Sequence, residues 1–216
     1  MRKLYLALLP LGLLAQSKTV VENTRVRIVS ALDRPHQKSA PHKHDPNRVM
    51  IYLDNGDQDI TNEGQETQHH HWKTGDVAWS LGGPTHTSEV VSSGDLRIIE
   101  VEIKQPGPAK PPQRKRSLDP LSIDSSHCKL IFENSQVRVY RATLPSGMRE
   151  KWHEHAGAGR AVVLLSDVSA RLESDNGQFS TLNGGPGDAF WNDGYIKHRG
   201  SNIGSQAAEM IVVEVK

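Results

Sequence analysis

Cysteine is almost missing from this chain. Cys128 is the one thiol in 216 residues, so an internal disulfide is excluded. With no activating motif around it, its expected role is a small buried apolar side chain. Aromatic residues are few, and long apolar stretches with helical period are missing. Glycine (18) and proline (12) are frequent instead, which points to a turn-rich β protein. An excess of charge of one sign is also lacking, with 26 basic residues against 25 acidic ones. That balance gives no electrostatic case for nucleic-acid binding.

The first residues stand apart. Arg2 and Lys3 precede an apolar run from Leu4 to Leu14, and Ala15-Gln16-Ser17 offers a small-x-small cleavage site. The run is shorter than the roughly 20 residues of a spanning helix. Residues 1–17 are therefore predicted to be a secretory signal peptide. Its removal predicts a secreted or periplasmic protein with no stable membrane span and 24 basic residues against 25 acidic ones. No cysteine stands at the cleavage site to take a lipid.

What is abundant is repetition. Glu22-Asn23-Thr24-Arg25-Val26-Arg27 returns as Glu133-Asn134-Ser135-Gln136-Val137-Arg138, 111 residues on. The offset holds to His42/His153 and His44/His155, then grows by one. It then pairs Arg48 with Arg160, Gly75-Asp76 with Gly187-Asp188, Trp79 with Trp191, His86 with His198, and Glu102 with Glu214. The duplication predicts two colinear units, at 18–104 and 123–216. Between them, 105–122 carries Pro106, Pro108, Pro111, Pro112 and Pro120 with Lys110, Arg114, Lys115 and Arg116. This reads as an extended, basic, solvated linker unable to form a helix.

Within each unit the strand candidates are short: 26–29, 49–53 and 96–102 in the first, 137–140, 161–165 and 210–215 in the second. Asp54-Asn55-Gly56 and Asn176-Gly177 are hairpin signals, and each Gly-Asp pair reads as a tight turn before a strand. Many short strands with no convincing helix predict an antiparallel barrel or sandwich.

The chain has 11 histidines, and a single His-x-His pair arises by chance in about half of such chains. Two pairs at matching places are a stronger signal. Each is followed by an arginine and by a lone histidine 11 residues after the glycine of Gly-Asp. On a strand, residues i and i+2 share a face. His42 therefore points with His44, and His153 with His155, while His86 and His198 arrive from elsewhere. Glu154, of opposite parity, is expected to face outward.

These residues resemble the cupin superfamily in its two-domain, or bicupin, form. His42-x-His44 lies with Gly75…Gly82-Gly83-Pro84-Thr85-His86, and Gly147…His153-x-His155 with Gly187…His198…Asn202. The resemblance implies an all-β chain of two double-stranded β-helix (jelly-roll) barrels in tandem, each with a pocket. It also implies a divalent transition metal (iron, manganese, zinc, nickel or copper) on His42, His44 and His86, and another on His153, His155 and His198. The family's usual glutamate ligand is missing in both units, where Arg48 and Arg160 stand instead. Some bicupin ring-cleaving dioxygenases are similar in using three histidines, with arginines near the substrate carboxylate.

A guanidinium about 5 Å from a dication costs about 6–7 kcal/mol at an effective dielectric constant of about 20. Three arrangements offset it. The arginine turns to an internal carboxylate, an anionic substrate bridges arginine and metal, or no metal binds and the pocket holds an anion alone. The expected function is thus a metal-dependent enzyme, dioxygenase- or decarboxylase-like, with Arg48 or Arg160 orienting a small anionic substrate. The alternative is a non-catalytic, storage-like bicupin that binds a small molecule or anion without metal. An exposed strand edge could also pair with a second copy as a homodimer.

Weaker signals take blander readings. His69-His70-His71 reads as a polar surface strand. Trp79 and Trp191 read as core. Asp54, Asp57, Asp59, Glu63 and Glu66 lack the spacing of a calcium loop and read as a solvated hairpin.

Overall fold

The computed structural model describes residues 16–105, 117–155, 157–194 and 196–216. Residues 1–15 of the predicted leader and 106–116 of the predicted linker lie outside them. The described chain is almost entirely β. The first unit comprises β1 (Gln16–Glu22), β2 (Val26–Asp33), β3 (Arg48–Tyr52), β4 (Gly56–Asn62), β5 (Thr67–Trp72), β6 (Val77–Ser80), β7 (His86–Val90) and β8 (Leu96–Ile103). One helical turn, α1 (Pro120–Ile123), leads into β9 (Cys128–Glu133), β10 (Val137–Leu144), β11 (His153–His155), β12 (Gly159–Leu164), β13 (Val168–Ser174), β14 (Phe179–Gly184), β15 (Ala189–Asp193), β16 (Ile196–Asn202) and β17 (Ala208–Val215). Among the described residues, no helix is long and apolar enough to cross a membrane.

Each unit folds two sheets against one another. The first has β1-β2-β8-β3-β6 and β5-β4-β7; the second has β9-β10-β17-β12-β15 and β14-β13-β16-β11. The chain crosses between the sheets of a unit rather than filling one before starting the other. This closes each unit into a jelly-roll barrel of the cupin type.

The apolar runs of the sequence are explained by where their two faces go. On β3, Val49 and Ile51 face the other unit, while Arg48, Met50 and Tyr52 face the barrel interior. All five residues are buried, so alternation disappears from the sequence as it does in strands covered on both sides. β12 behaves alike: Ala161 and Val163 face outward to the partner unit, Arg160 and Val162 inward. The outward residues of both five-stranded sheets meet in one cluster. It includes Val26, Ile51, Ile99 and Val101 from the first unit and Val139, Val163, Ile211 and Val213 from the second. The units therefore share a hydrophobic core between them in addition to their own interiors. Asn47 donating to Gln136 (2.7 Å) and Arg141 donating to the Gly75 carbonyl (2.7 Å) cross the same boundary.

Two sequence expectations need correction. Asp54-Asn55-Gly56 is not a hairpin, because β3 and β4 belong to different sheets; turn chemistry reports a bend and not which strand is paired next. Asp54 instead receives Arg97 from β8. Asn176-Gly177 does close a hairpin, β13–β14. The acidic hairpin is β4–β5, with its turn at Gly64, where φ is 73°. Nor is 105–122 wholly extended: Pro120 starts α1, at the first helical position where its missing N–H costs nothing. Asp119 beside it receives the buried Arg138 guanidinium at 2.6 Å, fastening this segment to the second barrel. At the other end, Gln16 and Ser17 are paired with Leu32 and Ala31 of β2, so the predicted cleavage site lies at the start of β1.

Candidate metal centres

The three-residue sets expected from the sequence come together in space. His42, His44 and His86 lie in the first barrel with all ligand atoms within 4.8 Å of one another, and so do His153, His155 and His198 in the second. The third histidine of each set sits directly across from the first. His153 is paired with His198 between β11 and β16, and His42 with His86 through an isolated bridge. Glu154, between two buried histidines, belongs to neither cluster.

One ring nitrogen is anchored in most of these residues. His42 Nδ1 lies 2.9 Å from the Ala40 carbonyl, and His153 Nδ1 lies 3.0 Å from the Lys151 carbonyl, the same local contact in each repeat. His86 Nδ1 faces the Pro84 carbonyl at 3.3 Å. His155 Nδ1 lies 3.0 Å from Glu214 Oε1. These oxygens only accept, so Nδ1 carries the proton and Nε2 keeps its lone pair. Outer-shell contacts of this kind fix the tautomer of metal-binding histidines. In the second barrel, His155 Nε2 and His198 Nε2 are 2.9 Å apart. Two imidazoles bound at right angles to one ion at about 2.1 Å would place their nitrogens about 3.0 Å apart. The donor set therefore fits a divalent transition metal.

Burial keeps His155 and His198 neutral, as ligation requires. His198 is pushed down to about 2 by burial, with His153 and Arg160 adding to the effect. His155 is held well below its ordinary value for the same leading reason. The contact with Glu214 is thus a neutral N–H donating to a carboxylate rather than an ion pair. In the first barrel the rings are half-buried, and burial lowers His86.

Arg48 and Arg160 both line the cavities beside the histidines. Each is almost completely buried, and each has an Nη1 with no hydrogen-bond partner among the described residues. Burial lowers both guanidinium pKa values. Their surroundings differ. Arg48 Nε lies 3.4 Å from Glu100 Oε2, on β8. Burial raises Glu100 and Arg48 opposes that rise. The first of the three offsets, an internal carboxylate, is therefore present in this barrel. Arg160 forms no ion pair among the described residues; Glu214 and Glu150 act on it only at longer range.

The sequence reading missed the acids and bases behind the histidines. Glu214 also receives Arg138 Nε at 2.9 Å, and Glu102 receives Arg27 Nη2 at 3.0 Å. Glu100 and Glu102 lie 3.8 and 3.7 Å from His44 Nδ1. The signal was available: arginine and glutamate recur at matching places inside otherwise apolar strands of both repeats.

The other candidate residues lie outside the two triads. His69 and His71 are on the exposed face of β5, against Asp59 (2.6 Å) and Asp57 (2.7 Å). His70 turns the other way and stacks on Trp72. Trp79 and Trp191 pack against the shared core, and Trp191 also lines the second cavity. Cys128 is buried, which pushes its thiol up to about 12.

No protein-family model matches the chain, and no curated protein matches it in sequence. Its fold is shared with solved structures. AerE from Microcystis aeruginosa is similar over 94% of this chain and 98% of its own, with a TM-score of 0.63 and 13% identity. A cupin 2 conserved barrel domain protein from Leptotrichia buccalis is similar over 95% and 90%, with a TM-score of 0.58 and 13% identity. Oxalate decarboxylase from Bacillus subtilis, a protein with Mn(II) centres, is similar over 93% and 72%, with a TM-score of 0.65 and 13% identity. At these identities the likeness is one of fold: the cupin barrel, in tandem.

Proposed function

We propose that this protein is an exported, metal-dependent bicupin enzyme acting on a small anionic molecule. His42, His44 and His86 hold one divalent transition metal, and His153, His155 and His198 hold another. The observation that carries this reading is the 2.9 Å approach of His155 Nε2 to His198 Nε2, with His155 Nδ1 engaged by Glu214. Two buried, neutral imidazoles whose Nε2 atoms converge on one point are what a cation requires. Three histidines leave coordination positions open, which suits a catalytic rather than a structural centre.

Bound there, a metal would supply Lewis-acid or oxygen-activating chemistry. The chain's own residues do the rest. Arg48 and Arg160, standing where the family's glutamate would be, present guanidinium N–H groups to an anion. Glu214 fixes the tautomer of His155. Oxalate decarboxylase, which shares the fold, has Mn(II) centres, so manganese is a first metal to test, together with iron.

Elemental analysis of untagged protein tests the reading. The expected result is close to two metal equivalents per chain. Less than about a tenth of an equivalent, with no uptake of added iron or manganese, would sink it. The second reading, an anion-binding bicupin without metal, would then take its place. It is favoured by the cationic Arg160, which forms no ion pair among the described residues.

A further inference from the structure

The two barrels come from one repeat, so each interior position of the first has a counterpart in the second. Glu100 lies opposite Val29 on β2 and Met50 on β3. Its counterpart is Val212, opposite Tyr140 on β10 and Val162 on β12. The carboxylate that faces Arg48 is thus an isopropyl group in the second barrel. Asp33 and Gln58, which line the first cavity, correspond likewise to Leu144 and Ala170 in the second. The second cavity measures about 350 Å³. Arg160, 5% exposed, lines it with Nη1 unpartnered among the described residues. The acids that act on Arg160 at longer range are engaged elsewhere, Glu214 by Arg138 and His155 and Glu150 Oε2 by the Gly200 amide at 2.6 Å, and neither forms an ion pair with Arg160.

We infer that the second barrel takes a monocarboxylate with an apolar body, its carboxylate on Arg160 and its body against Leu144, Leu172, Phe190 and Val212, while the first barrel, where Glu100 lies 3.4 Å from Arg48, takes no such anion. The inference rests on the proposed reading of the second barrel as an anion-handling site, and adds the substrate class and the division between barrels. A buried guanidinium with no carboxylate in direct contact is unfavourable unless an anion reaches it. A carboxylate answers that need through the two-pronged contact that guanidinium favours. The apolar walls then select the group attached to the carboxylate: a second charge there would be stripped of water with no partner.

Three ligands that share a ring separate these features: phenylacetate, its neutral analogue 2-phenylethanol, and the dianion 1,4-phenylenediacetate. Calorimetric titration of the full chain, metal-loaded and chelator-treated, should show one phenylacetate per chain. The alcohol and the dianion should each bind about tenfold or more weakly, the scale of losing or stranding one charged hydrogen-bonding group. Arg160→Gln should weaken phenylacetate by about the same factor, and Val212→Glu, which restores the internal carboxylate, should abolish its binding. If Val212→Glu does not fold, Arg160→Gln and the ligand series still decide. Equal binding of all three ligands, two phenylacetates per chain, or indifference to Arg160→Gln would overturn the inference. Metal measured in the same samples keeps the two readings apart. Metal uptake without ligand selectivity removes this inference and leaves the metal reading. Selective, Arg160-dependent binding in protein that takes up no metal does the reverse.

Discussion

Glu214 Oε1 lies 3.0 Å from His155 Nδ1, so a carboxylate on the closing strand decides which nitrogen of that imidazole faces the cavity. Replacing it with glutamine keeps the shape but lets the side chain donate as well as accept, and the tautomer is no longer fixed. Glu214→Gln should lower metal affinity in the second barrel by about 10–100-fold. Arg138 retains Asp119 at 2.6 Å, so the barrel should still fold. A chelator-competition titration that resolves two sites should show the first barrel unchanged.

Stability of the metal-free protein should fall as the pH drops below about 6.5. His155 and His198 are neutral in the folded chain because burial depresses both pKa values, His198 to about 2. The unfolded chain takes up protons at these residues from the ordinary histidine range downward, and the folded chain does not. Their contribution is therefore complete above about pH 6.5 and is lost progressively as the pH falls below it, by about 1.4 kcal/mol per pH unit for each histidine. Urea unfolding at pH 7, 6 and 5 measures the slope, which His198→Gln should reduce.

Ile51 is wholly buried in the cluster between the barrels. Ile51→Ala should cost about 2–5 kcal/mol, the usual range for such a truncation. Because the cluster belongs to both units, hydrogen exchange should speed up in β17 of the second barrel as well as β8 of the first. A change confined to the first barrel would contradict the shared core.

Gly82 is a position where a methyl group has no room: an added Cβ would fall 2.0 Å from the Asp45 carbonyl oxygen. Gly82 N–H donates to Asn47 Oδ1 at 2.9 Å, and Gly83 N–H to the His44 carbonyl at 3.1 Å. Gly82→Ala should push away the loop that carries His44, at a cost of about 1–3 kcal/mol. Metal binding should weaken in the first barrel and persist in the second, as read by the same two-site titration.

The histidine sets were legible because duplication made a weak pattern into a repeated one, and because strand parity fixes where i and i+2 point. The cupin barrel was legible in the same residues. Glu100 and Glu214 were not assigned roles, because their partners lie 50 to 80 residues away and meet only through sheet pairing. Asp54-Asn55-Gly56 misled for a related reason: its chemistry is that of a turn, and the sheet the chain enters next is set by the barrel's closure. Pro120 was read as a helix breaker, although at a first helical position it starts one.

The cohesive surface between the barrels has one more consequence: the chain should be divisible. Val49, Ile51 and Val101 are covered by residues of the other half, and Val163, Ile211 and Val213 are covered in return. Fragments 16–105 and 117–216, produced together, should find each other and restore both barrels without a peptide connection. Made separately, each would carry a raw apolar sheet face into water and aggregate or self-pair. The covalent join then serves chiefly to keep two unlike pockets in fixed proportion, one of each per molecule.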